Sequence, residues 1–82
     1  MSNRPIDAPT LRALVEAGVI REALIVRIRH DGDYRWAIQV SYGMKTQILR
    51  SQREPVRLFH TIDSAARLLH DMGLSRMSVE FV

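Results

Sequence analysis

Arginine is the side chain with most chemistry to offer in this sequence. Eleven are present against one lysine, Lys45. A guanidinium makes forked, bidentate bonds to phosphate and carboxylate. Two groups stand out by spacing. Arg27, Arg29 and Arg35 alternate along EALIVRIRHDGDYRWAIQVSY, with Lys45 just beyond; Arg50, Arg53 and Arg57 surround SQREP. The first group suits a basic sheet face meeting a protein partner or a DNA groove. The second could hold phosphates around a loop. Plain alternatives stand beside both. The first set can be solvated and paired with Asp31, Asp33 or Glu80, the second can be a solvated loop, and an arginine-rich composition also follows from a GC-rich genome.

Other reactive groups are poorly arranged for chemistry. His30, His60 and His70 lack the short spacing of a metal site, and there is no cysteine. Ser64 and Ser75 have no nucleophile-elbow motif around them. Asp63 and Asp71 read as cap and surface residues of a helix. No glycine-rich phosphate loop is present. These patterns predict no catalytic residues, no metal, no cofactor and no small-molecule substrate.

The elements that would carry the arginines follow from periodicity. Residues 22–42 hold two alternating segments around Asp31-Gly32-Asp33, the mark of a β-hairpin. Leu24, Val26 and Ile28 alternate on the first strand, and Tyr34, Trp36, Ile38, Val40 and Tyr42 on the second. Taking both sets as inward makes opposed residue numbers add to an even total. That parity disfavours a two-residue Asp-Gly turn and predicts an odd loop, with Gly32 at positive φ. It puts Arg27, Arg29, Arg35, Gln39, Lys45 and Gln47 on one outward face, mixed with Ile25, Ala37 and Leu49. Trp36 and the tyrosines then belong to the core rather than to a base-stacking surface, with Tyr34 and Tyr42 at the strand ends open to partial exposure.

Before the hairpin, Asp7 or Ala8 caps a helix with Pro9 in its first turn, and Gly18 ends it. Leu11, Leu14, Val15 and Val19 form its apolar stripe. A third strand is expected within 44–51, paired in the sheet or swapped to another chain. Residues 51–55 are a loop and 56–59 a short extended piece. Thr61 caps a second helix with Asp63 in its first turn, where the dipole favours an anion. Ile62, Ala65, Ala66, Leu69 and Met72 form its stripe, Leu68 widens it, and Gly73 stops it. Arg76 to Val82 reads as a final strand.

The sequence therefore predicts a single small α+β domain over 1–82, with residues 1–6 disordered. Its order is αβββαβ, a four-stranded mainly antiparallel sheet with two helices packed on one face. At 82 residues the chain buries only about 60% of its unfolded surface, so self-association is a reasonable expectation. A net charge of +3 permits nucleic-acid contact without requiring it. The segment MSNRPIDAP has no apolar signal-peptide region, and no run is long enough for a bilayer. A cytoplasmic location with no membrane partner is the expectation.

Two stretches, LRALVEAGVIREA and VRLFHTIDSAARLLHDMGLSRMSVE, together with YGM at 42–44, resemble the ParC-type partition-associated small proteins of proteobacterial plasmids and integrative elements. The similarity runs over most of residues 11–80 and lies in structural positions rather than reactive ones. It implies a role in plasmid partition or maintenance and transfers no site residue. The expected function is a non-enzymatic accessory protein of a mobile element acting by protein–protein association, with itself or a partner. The alternative is DNA binding through an arginine-bearing sheet face. The candidate contact residues are Arg27, Arg29, Arg35, Lys45, Arg50, Arg53 and Arg57.

Overall fold

A computed structural model describes residues 4–81. It has the expected order: α1 (Ala8–Glu16), β1 (Glu22–His30), β2 (Asp33–Tyr42), β3 (Lys45–Ile48), α2 (Ile62–Met72) and β4 (Ser78–Glu80). The strands form one sheet in the order β3-β2-β1-β4. β1 and β2 pair antiparallel, as do β2 and β3; β4 runs parallel to β1. The fold is α+β with a mostly antiparallel sheet, and the 44–51 segment pairs within its own chain.

The helix boundaries have local causes. Asp7 accepts the Thr10 N–H at 2.9 Å, and Pro lies in the first turn of α1. Gly18, at φ 73°, then turns the chain left-handed, and the Val19 N–H reaches back to the Leu14 carbonyl. That turn swings Val19 off the stripe: it is exposed, and Ile20 packs on the core instead. In α2, the Thr61 hydroxyl accepts the Ser64 N–H at 3.0 Å. Gly73 closes the helix at φ 113°, with Leu74 N–H bonded to the Leu69 carbonyl. Thr61→Ala leaves that first-turn N–H without its partner and should cost about 1 kcal/mol by urea denaturation.

The core lies between the helices and one sheet face. Leu11 from α1 and Ala65, Leu69 and Met72 from α2 pack with Ala23, Ile25, Ile38, Val40, Leu49 and Phe59. Ile6 joins them at 4% exposure, bridged in parallel to Leu49. The expectation of a disordered 1–6 therefore fails at Ile6; residues 1–3 of that stretch lie outside the described residues. An apolar side chain between Pro5 and Asp7 has a place to go, because the free edge beyond β3 offers both a hydrogen-bond partner and a hydrophobic gap. The Ile6 N–H donates to the Ile48 carbonyl, and the Arg50 N–H to the Ile6 carbonyl, both at 2.9 Å.

The hairpin register corrects the parity argument. Ile28 stands opposite Arg35, Arg27 opposite Trp36 and His30 opposite Asp33. Opposed numbers add to an odd total, and the turn is the two-residue Asp31-Gly32 that parity disfavoured. Both residues have positive φ, 51° and 81°. That is the primed turn whose twist matches the strands it joins. β1 is an inner strand of the sheet and is apolar on both sides, so its hydrophobic pattern does not specify a face. The turn does.

Candidate interaction surfaces

Directly paired strand residues share a face, so the register sorts every candidate. Arg27 and Arg29 lie on the helix-bearing face, opposite Trp36 and Tyr34. Lys45 is paired with Tyr42 and lies on the same side, as does Gln47, paired with Val40. Arg35 and Gln39 lie on the opposite face. The single outward arginine face expected from sequence is therefore split in two by the register.

Arg27 and Arg29 instead build an aromatic cluster where the helices stop covering the sheet. The Arg27 guanidinium lies 4.2 Å from the Tyr34 ring centre and 5.5 Å from that of Phe81. Arg29 sits 5.2 Å from the Tyr34 ring and donates to its hydroxyl at 3.1 Å. Trp36 meets Phe81 edge-on at 5.3 Å. Trp36 packs against the core, but Tyr34 is 46% exposed. These cation–π contacts use the arginines to close the open end of the core. At the other end, the Tyr42 hydroxyl donates to Gln47, and Lys45 lies 6.0 Å from the Tyr42 ring.

The face away from the helices is the larger surprise. It carries Leu24, Val26 and Ile28 from β1, Ala37 from β2 and Ile48 from β3. The aliphatic side chains are half-buried by one another, and Ala37 at their centre is fully buried. Val56 and Leu58 extend this surface, lining a hollow with Ile28. No helix among the described residues covers it. Ser78 and Glu80 flank the strip on β4, and Arg35 stands on β2. Arg35 is held by Asp33 at 3.9 Å and donates to the Tyr34 carbonyl at 2.9 Å.

Arg50, Arg53 and Arg57 do come together. With Asp7, Ser51 and Glu54 they line a cleft of about 800 Å³ between the start of α1 and the loop after β3. Arg50 and Arg53 also line an adjoining hollow of about 380 Å³ with Arg4. The Asp7 carboxyl is held below its ordinary value, first by its hydrogen bonds to Thr10 and then by the nearby Arg50 charge.

Family models, curated proteins and solved structures all give no match. No helix among the described residues is long and apolar enough to cross a membrane.

Proposed function

We propose that this protein is a non-enzymatic association module, pairing with a second copy of itself through the open sheet face. One observation carries the reading: both helices pack on one side of the sheet, while the other side presents a strip of half-buried aliphatic side chains, Leu24, Val26, Ile28, Ile48 and Leu58, around the buried Ala37. An apolar strip with polar flanks is the anatomy of an interface centre and its rim.

A second copy fits this face better than the sheet edges. Ile6 occupies the end of the β3 edge at Ile48 and Leu49, which leaves a short stretch there, and β4 offers only three residues for pairing. Charge supports self-pairing too. On this face Arg35 on β2 and Glu80 on β4 lie on either side of β1, so a two-fold running along β1 places unlike charges towards each other. A standard interface takes about 800 Å² from each partner, a modest share of the 5626 Å² accessible here.

The setting we propose, accessory to plasmid partition or maintenance, rests on the family resemblance of residues 11–80. A partition ATPase encoded beside this protein agrees with it, and a metabolic operon in that place counts against it. Sedimentation velocity at micromolar concentration tests the pairing. The expected species has twice the 9.4 kDa chain mass; a 9.4 kDa species up to the highest concentration overturns it.

A further inference from the structure

We propose that the arginine cleft between α1 and the 50–57 loop binds the phosphate backbone of a nucleic acid without reading its sequence. This is a second surface, which shares Ser51, Glu54 and Arg57 with the hollow beside Ile28 but carries Arg50 and Arg53 apart from it. It is built on fixed backbone. The Arg50 N–H is bonded to Ile6 at 2.9 Å and the Arg57 N–H to Leu49 at 2.8 Å. Between them the loop is closed by Ser51, whose N–H donates to the Glu54 carbonyl at 3.1 Å and whose hydroxyl accepts the Glu54 N–H at 2.8 Å. Arg57 is further steadied against the Phe59 ring, 4.9 Å away. The guanidinium groups therefore project from a pinned frame.

Their charge is available. Among the described residues, no ion pair within 4.0 Å involves Arg4, Arg50, Arg53 or Arg57. The two carboxylates lining the cleft are Asp7 and Glu54. Asp7 accepts the Thr10 N–H at the helix start and also feels the Arg50 charge, so it offsets part of it. Four arginines against two carboxylates leave a net positive site.

The arrangement of the arginines points to the ligand class. The cleft and the adjoining hollow share Arg50 and Arg53, with Arg57 lining the first and Arg4 the second. Arginines spread across two connected hollows match a row of phosphates, and arginine forks suit phosphate oxygens. A chain of phosphates displaces bound counterions, so binding to about three of them predicts a log–log salt slope near −3.

The test is fluorescence anisotropy with a labelled mixed-sequence DNA duplex of about 24 base pairs, followed from low to moderate NaCl. The wild type should bind with a slope of about −3, and Arg50→Gln with Arg53→Gln should weaken binding at least about tenfold and flatten the slope by about 2. Both side chains are exposed, so the fold is expected to survive, checked by circular dichroism. Arg12→Gln with Arg67→Gln removes the same net charge elsewhere and should change affinity by less than about threefold. Equal losses in the two double variants overturn the proposal, since bulk charge alone then explains binding. So does failure to bind duplex at low salt. Displacement of the duplex by inorganic phosphate at matched ionic strength, or by polyglutamate at equal charge, also overturns it, identifying a small-anion or an acidic-protein site instead.

Discussion

Truncating Leu69 to alanine should remove about 3 kcal/mol of stability, within the 2–5 kcal/mol range of buried leucine truncations. Leu69 is fully buried in α2 and packs with the sheet residues of the core. Nothing beside it can move in cheaply, because the helix is fixed at one end by the Thr61 cap and at the other by the Gly73 turn. A chain of this length has a total stability of about 4–12 kcal/mol. The loss is therefore a large fraction of the whole, and in urea it should lower the midpoint by about 2 M. Arg67, exposed on the same helix, provides the contrast: Arg67→Ala should stay within about 0.5 kcal/mol of wild type. Equal effects from the two would mean that α2 does not pack by the face described.

Val26→Glu should abolish self-association while leaving the monomer folded. Val26 lies in the middle of β1, opposite Ala37, on the face away from the helices. In a monomer the new carboxylate points to water, and the folding cost is limited to β-propensity and lost neighbour contacts, about 1 kcal/mol. In the pair, the two-fold would bury two carboxylates in an apolar strip with no cation directly opposite either. Leaving a buried charge uncompensated costs about 3–5 kcal/mol. That is at least about a hundredfold in the dissociation constant, read from sedimentation across a concentration series. Unfolding of the variant at low concentration would instead show that β1 needs Val26 for the monomer itself.

These two positions also show what was legible in the sequence. The helix stripe that buries Leu69 was readable, because its caps, Thr61 and Gly73, and its 3.6-residue spacing are local signals. The four strands and the α+β order were readable for the same reason. The face on which Val26 lies was not. β1 is apolar on both sides, so period-two alternation specifies a strand and leaves its orientation open. The Asp31-Gly32 dipeptide holds the deciding information, because its primed two-residue turn sets the register whichever face the hydrophobic pattern favours. Once the register is odd, Arg27 and Arg29 move to the helix side and Leu24, Val26 and Ile28 move outward. Arg50, Arg53 and Arg57 were readable as a group because they flank one loop. Their meeting with Arg4 and Asp7 depends on Ile6 bridging Leu49, a contact across the chain that no local pattern announces.

The association face itself is tested most directly by isotope-filtered NMR on a mixture of labelled and unlabelled protein. Nuclear Overhauser contacts between copies should appear on the methyl groups of Leu24, Val26, Ile28 and Ile48. A dimer whose intermolecular contacts fall on the β4 edge or on the helices, with these methyls silent, would contradict the account.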